Sequence, residues 1–504
     1  MNLAIVGAGI AGLTAGIYAL RSGFDVTIYE SHSAPGGAST CWRRGAYLFE
    51  GGLHWLNGSS PGTSLHKIWR DIGALDEHTP VYNRDPFFVV DYQGRRACLY
   101  RDIEKLTAHL LAVSPEDRRE ILRLVGDIKK FAAVDLPVGD LRGLKTREKS
   151  GVPLSSFVKM IPAFTRLPFW SGQTVEEYAK RFKSSLLRGL VSGVLRVDNS
   201  ALSLIFTLAA LCSGDGGYPQ GGSGDMVLRI AAVFKALGGT IRFNSPVNRV
   251  VIQGGAAAGV CTGGPEIPAG AVIVTQDTLT AVDTLFDTPL REGWIEKMRG
   301  NTRPMVSTFI SLGIEADLSA LPESLAFFPE KPLLCGGREI RSLNINNYAA
   351  YAVNGPGGTP GYAPEGCSAV TSLIPGDNYD FWKRRREDGS YGAEKRRLAE
   401  NFIEALGKLW PQIRGKIAVW DVATPLTYER YLHSYRGSYM SIMEKGMPPL
   451  YPVKPKTVKN LYFAGQRLIP PGGLPVAAET ARKAVQYLCL DTGAVFQGGP
   501  GSFV

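Results

Sequence analysis

The amino-acid sequence predicts an α/β protein whose parallel sheet is assembled from segments far apart in the chain, with an α+β second domain and a helical insert. Three observations predict it. The first thirty residues read strand, glycine turn, helix, strand and acid. A second strand–glycine–helix segment stands near the other end, at Leu461 to Leu488. Between them lie long stretches with a different hydrophobic rhythm and most of the excess basic charge. At 504 residues, 44% hydrophobic and 20% charged, the chain is long enough for two or three folded units. Wholesale disorder and a polytopic membrane protein are both excluded by that composition.

Leu3 to Val6 read as a buried parallel strand, and Gly7-Ala8-Gly9-Ile10-Ala11-Gly12 follows it. Leu13 to Arg21 reads as a helix closed by Gly23, and Val26 to Tyr29 as a strand ending in Glu30, 21 residues after Gly9. Gly7 permits the tight turn, Gly9 lets backbone approach a pyrophosphate, and Gly12 lets helix pack on strand. Ile10 and Ala11 open the helix, whose N-terminal N–H groups and positive dipole end attract phosphate. Glu30 can accept both ribose hydroxyls and would repel a 2′-phosphate. With all five parts in register, this is a Rossmann-like site for an adenine dinucleotide, NADP being the least suited.

Further motifs narrow the dinucleotide. Pro35-Gly36-Gly37-Ala38 follows Glu30 closely, then Glu50-Gly51-Gly52-Leu53-His54-Trp55. Near the C-terminus come Ala464-Gly465-Gln466 and Gly472-Gly473-Leu474-Pro475, with a helix over Ala477 to Leu488. These segments resemble the flavoprotein superfamily of phytoene desaturases, carotenoid isomerases, retinol saturases and, more remotely, amine oxidases. The resemblance implies noncovalent FAD. Gly7, Gly9, Ile10, Ala11, Gly12 and Glu30 would serve adenosine and pyrophosphate, and Gly36, Gly37, Ala38, Gly52, Leu53 and His54 the double-glycine side. Gly465, Gln466, Gly473, Leu474 and Pro475 would serve ribityl and flavin. A middle block agrees: Tyr218-Pro219-Gln220-Gly221-Gly222-Ser223, a helix over Met226 to Leu237, a strand over Thr240 to Phe243, and Val247, which matches a valine presented to adenine. Ala271 to Asp277 resembles the strand that returns to the FAD domain. Ala38 stands where many relatives carry Arg, and Gln466 where many carry Asp, so Gln466 would act as a neutral amide. A single dinucleotide fingerprint argues against a separate, stable NAD(P)H domain and leaves NAD(P)H, or another electron donor or acceptor, as a transient partner.

The FAD-binding domain is therefore expected to be discontinuous: 1–80, 218–290 and 455–495. Residues 81–217 and 291–454 form the substrate domain, and 496–504 a tail. In the first insert Phe88 to Tyr100 reads as a hairpin about Gln93-Gly94. Ser114-Pro115-Glu116-Asp117 reads as a helix start, and Ile121, Leu124, Val125, Ile128, Phe131 and Ala132 as the core stripe that follows. In the second insert Met305 to Leu312 and Ala369 to Ile374 read as strands, 353–366 as a Gly/Pro-rich loop, and Ala399 to Leu409 as a helix.

The net charge of +10 is local. Ten basic residues between Arg142 and Arg188 face three acidic ones, and seven between Lys383 and Arg397 face three. Phe157, Phe164, Phe169 and Trp170 interleave with the first group, and Pro153, Pro162 and Pro168 forbid one long helix. This stretch, 142–188, reads equally as a docking face for an anionic membrane and as a lid with buried aromatics. Nucleic acid is not expected, because no binding motif accompanies the charge. Seven widely spaced cysteines without C-x-x-C fit neither a disulfide framework nor a zinc site, and no metal is expected. With neither a signal peptide nor an apolar run of transmembrane length, the cytoplasm is expected, with a membrane met only from its surface.

Flavin would supply hydride or electron transfer, and a lipophilic substrate would lie in an apolar tunnel. His54, Tyr428, Arg430 and Tyr431 are the candidate catalytic side chains, each also readable as structural or tunnel-lining. The leading expectation is an FAD-dependent oxidoreductase that desaturates, saturates or isomerises an isoprenoid or polyene. Alternatives are an amine or amino-acid oxidase, and a flavin-binding peripheral membrane protein without turnover. Oligomeric state is left open.

Overall fold

The computed structural model describes residues 1–135, 138–146, 154–351 and 361–499, with the side chains of 154–157 excepted. Arg147, Glu148, Lys149, Pro153 and most of the 353–366 loop therefore lie outside the described residues, as does the side chain of Phe157.

Five strands form a wholly parallel sheet in the order Thr240–Arg242, Asp25–Tyr29, Asn2–Val6, Ala271–Val274, Leu461–Phe463. Ala271 to Val274 and Leu461 to Phe463 are buried throughout, the continuous apolar pattern of a sheet covered on both faces. The register aligns Val6 with Tyr29 and with Val274, and Val274 with Phe463. Gly7, Glu30, Thr275 and Gly465 therefore emerge near one carboxyl edge, where open α/β sheets bind ligands. The helices Ile10–Arg21, Gly222–Ala236 and Leu474–Thr492 are each longer than the sequence pattern suggests, and the first packs against the other two. Gly16 makes one of these approaches possible, since a Cβ there would lie 2.5 Å from the Phe234 ring.

The second sheet has seven strands, in the order Ile417–Ala423, Ser307–Ile314, Ser368–Pro375, Leu343–Asn347, Ser324–Phe327, Phe88–Tyr92, Arg95–Leu99. Only the Ser324–Phe327 and Phe88–Tyr92 pair runs parallel. Gln93 and Gly94 both take positive φ (54° and 78°), the left-handed pair that a tight hairpin turn requires. Tyr391–Leu409 is one helix, two turns longer than its apolar spacing indicates.

Two local expectations need correction. Ser114 does not cap a backbone N–H; its hydroxyl donates to Asp117 (2.8 Å). Pro115–Asp117 forms a separate turn before the helix Arg118–Phe131, and Asp117 accepts the N–H groups of Lys183 (2.6 Å) and Ser184 (2.9 Å). The stripe from Ile121 to Phe131 is buried, but Ala132 lies past the helix end and is exposed. In the tail, Phe496 is 1% exposed and its ring lies 5.6 Å from that of Tyr18. The partition into FAD and substrate domains, with 496–504 a tail, is kept as a proposal. One stability prediction arises here. Gly126 lies mid-helix with no positive φ and open space where its Cβ would be. Gly126→Ala is expected to stabilise the fold by about 0.5–1 kcal/mol, read from denaturant unfolding.

The basic insert resolves in a mixed way. Trp170 is fully buried and its indole N–H donates to buried Asp127 (3.0 Å), which also takes the Arg166 guanidinium (2.8 Å). The Phe169 ring is covered by the guanidiniums of Arg166, Arg123 and Arg181 at 4.7 to 5.4 Å. Neither aromatic is offered to a membrane. The preceding helix, Leu154–Phe164, differs: Val158, Ile161 and Phe164 are 59%, 55% and 41% exposed, while Met160 and Ala163 are buried.

Candidate active site

One cavity of about 1600 Å³ runs from the carboxyl edge of the parallel sheet to the seven-stranded sheet. A single small-molecule pocket measures roughly 300–1,000 Å³, so there is room for a cofactor and a substrate side by side.

At the sheet edge, Gly7 takes φ +97° and a Cβ on Gly12 would lie 1.9 Å from the Gly7 carbonyl oxygen. Gly12 lies outside the cavity and acts by letting helix meet strand. The helix Ile10–Arg21 begins at Gly9 with no side-chain cap and no acid in its first turn. The helix Leu474–Thr492 begins at Gly473, φ +95°, in the same condition. Two uncapped helix N-termini thus border one cavity, leaving N–H donors for phosphate or another anion. Gly9, Ile10, Ala11, Gly36, Gly37, Ala38, Gly52, Leu53, Val247, Gly465, Leu474 and Pro475 all line this cavity. The residues present fit an adenine dinucleotide.

Glu30 lies at the same edge and is 6% exposed. Its oxygens accept the N–H groups of Ala8 (2.7 Å) and His32 (2.9 Å), which fix the carboxylate in place beside the glycine turn. Removing this charged acceptor by Glu30→Ala is expected to weaken FAD binding about tenfold to a hundredfold, measured by apoprotein titration with FAD. Gln466 lines the cavity as well. Its amide N–H donates to the Tyr439 carbonyl (2.5 Å) and its oxygen accepts the Gly473 N–H (3.0 Å). One end thus ties the segment at Tyr439 and the other the second helix start, while the side chain itself borders the cavity.

The four candidate catalytic residues separate. His54 lines the cavity and its Nδ1 has no hydrogen-bond partner among the described residues. Tyr428 also lines it, 6.0 Å from the Tyr439 ring, and burial pushes its hydroxyl well up, so it stays protonated. Tyr431 is 46% exposed; its carbonyl contacts the His32 ring (3.0 Å), at the Glu30 end of the cavity. Arg430 is exposed on the outer surface with its guanidinium over the Tyr431 ring, and does not line the cavity.

Burial, reinforced by the Arg84 charge, lowers the His54 imidazole from 6.5 to about 4. It is neutral at pH 7. Unfolded, it takes up a proton below about 6.5; folded, it does so only below about 4. Stability present above that window is therefore lost as pH falls through it. Wild type is expected to lose about 2 kcal/mol more than His54→Asn between pH 7 and pH 4.5, measured by denaturant unfolding.

Sequence reasoning missed Glu50, Arg84 and Arg101. Glu50 is 1% exposed and accepts the N–H groups of Gly52 (2.8 Å), Leu53 (3.0 Å) and Ser223 (2.8 Å) and the Tyr218 hydroxyl (2.9 Å). A lone acid in an otherwise apolar run, Tyr47-Leu48-Phe49-Glu50, was the available signal. For the two half-buried arginines no local pattern marks their place in the cavity wall. Deeper still, Arg467 and Asp277 form a buried ion pair (Nε to Oδ2, 3.1 Å), and Arg467 also donates to Ser438 and Ser441. It ties the C-terminal strand region to the substrate side. Among the described residues there is no metal-ligating cluster, and all seven cysteines are free.

A parallel sheet with a glycine turn, a buried acid at the neighbouring strand end and a joined apolar cavity defines a dinucleotide-dependent oxidoreductase. Comparison with known proteins specifies which one. The profile of the family described as flavin containing amine oxidoreductase matches residues 10–489, and the chain belongs to that family. It is an FAD-dependent enzyme. It is 25% identical to a 4,4′-diapophytoene desaturase (4,4′-diapolycopene-forming) of Methylomonas sp, over 97% of this chain and 95% of that one. It is 23% identical to a chloroplastic prolycopene isomerase of Daucus carota, over 97% and 80%. Among solved structures, an oxidoreductase from Methanosarcina mazei superposes with a TM-score of 0.61 at 17% identity, covering 96% of this chain and 100% of that one. That last likeness concerns the fold alone.

Proposed function

We propose that the protein desaturates, saturates or isomerises a long apolar isoprenoid or polyene at FAD bound in this cavity. The observation that carries the reading is the continuity of one large cavity from the dinucleotide edge to walls built from Phe88, Leu202, Phe206, Phe309 and Met443. The carotenoid-active relatives support the same substrate class. FAD supplies the two-electron chemistry when bound. The chain's residues do the rest. Two helix N-termini and Glu30 hold the dinucleotide, the Glu50 cluster sets the Gly52–His54 loop, and the apolar walls orient the chain and exclude water. Tyr428 holds a proton at its hydroxyl within the cavity. The test is to purify the holoenzyme, extract bound lipid for mass spectrometry, and follow flavin absorbance anaerobically with the polyene recovered. Bleaching on addition shows hydrogen removal. A product formed only with pre-reduced enzyme shows saturation or isomerisation. Peroxide release with amines and no response to polyenes would move the assignment to an amine oxidase.

The same reading includes docking on an anionic membrane surface. Phe164 and Leu167 line the cavity together with Met447 and Pro448, and Val158, Ile161, Met447 and Leu450 are exposed close to them in sequence. Apolar residues at a cavity rim, with basic residues nearby, would let a lipid-dissolved substrate enter without crossing water. No helix among the described residues is long and apolar enough to cross a membrane. Sedimentation with anionic liposomes is expected to fall with salt and on replacing Val158, Ile161 and Phe164 by Ser. Equal recovery with and without liposomes would exclude docking. Trp170→Ser, in contrast, is expected to cost about 3–5 kcal/mol of stability by emptying a packed site.

A further inference from the structure

The apolar cavity has a polar end that a hydrocarbon cannot use. Arg84 lines the cavity with a tenth of its side chain exposed. Its guanidinium sits 5.4, 5.8 and 6.0 Å from the rings of Tyr218, Tyr348 and Tyr351, which hold it in place. Glu323 pairs with Nε at 2.8 Å, and Nη2 has no hydrogen-bond partner among the described residues. His54, which feels the Arg84 charge, leaves Nδ1 unpartnered in the same cavity. Arg101 lines the cavity too, with Nε unpartnered and no ion pair among the described residues. The nearby acid Asp85 is taken up by Lys105 (3.3 Å) and by the Arg101 backbone N–H (2.9 Å). Glu323 answers Arg84 and Lys105 answers Asp85, so among these groups the Arg101 guanidinium is left without a carboxylate and supplies a surplus positive charge. A buried charged donor without an acceptor is costly, and a ligand that brings the acceptor recovers that cost.

We propose that Arg84 and His54, backed by Arg101, form a subsite for a carboxylate at the end of an otherwise apolar chain, with Phe87 and Phe88 beginning the apolar wall beside it. The inference rests on the reading that the cavity takes a long apolar ligand. A planar guanidinium suits a carboxylate, and the neutral His54 ring adds a donor through its Nδ1–H tautomer.

The test compares two probes of the same carbon skeleton, all-trans-retinoate and all-trans-retinol, by equilibrium dialysis against the holoenzyme at pH 7.5. Wild type is expected to bind the acid at least about tenfold more tightly than the alcohol, the order a charge-assisted hydrogen bond supplies. Arg84→Met is expected to abolish that preference, and Arg84→Lys to keep part of it. Equal affinities in wild type, which need no variant to fold, would overturn the subsite while leaving the apolar cavity intact. A preference that survives in Arg84→Met would overturn it as well. If neither retinoid binds, the substrate-class reading falls and the subsite falls with it.

Discussion

Glu50→Ala is expected to destabilise the protein by roughly 3–5 kcal/mol and to yield enzyme largely free of FAD. The carboxylate joins three separated regions: the loop Gly52–Leu53, the helix start at Ser223, and the tyrosines 218 and 362, whose hydroxyls lie 2.5 Å apart. Removing it leaves several buried donors without an acceptor. Nothing can fill the space from solvent, because Glu50 is 1% exposed and the Gly222 backbone is pressed against it; a Cβ there would fall 2.2 Å from Oε2. Glu50→Gln keeps the volume and one acceptor but turns an amide N–H₂ toward donors, so its loss should be intermediate. Denaturant unfolding and the ratio of flavin to protein absorbance check both variants. Wild-type midpoints and flavin content in Glu50→Ala would show that the carboxylate organises nothing.

Gly12→Ala is the second large effect. The site is helical, so backbone strain is not the cause; the new methyl would meet the Gly7 carbonyl oxygen at 1.9 Å and Thr275 Oγ1 at 3.3 Å. Neither can turn away, since Gly7 N–H is bonded to the Tyr29 carbonyl (2.8 Å) and Thr275 Oγ1 donates to the Val6 carbonyl (2.7 Å). The helix must lift off the strand, and its N-terminus moves with it. A loss of about 3 kcal/mol and of bound FAD is expected, against the gain at Gly126→Ala, the same substitution in open space. FAD titration and unfolding midpoints of the pair decide it.

How legible the molecule was depends on how far apart the cooperating residues stand. The strand–turn–helix–strand–acid unit lies within thirty residues, and its chemistry follows from local rules: short apolar strands, glycines where backbone must pass closely, an acid at a strand end. The fold class, FAD and the family were therefore readable from sequence. Element lengths were not, because Tyr391–Leu409 and Leu474–Thr492 continue on helix propensity and tertiary contact past the point where the apolar pattern fades. The aromatic insert shows the same limit. Phe169 and Trp170 look identical to a membrane anchor in sequence; instead Asp127, more than forty residues away, holds Trp170 in the core, and three arginines cover the half-buried Phe169 ring.

Local patterning in the sequence was enough to read a dinucleotide-type parallel sheet, and the glycines and the acid it singled out, Gly7, Gly9, Gly36, Gly37 and Glu30, do line the cavity. Only the closed chain shows that Gln466 bridges Tyr439 and Gly473, that Arg430 stands outside the cavity, and that Arg84, Arg101 and His54 line it. The physical reason is that local spacing encodes periodicity and turn geometry. Whether a charge is solvated or buried depends on which distant segments close around it.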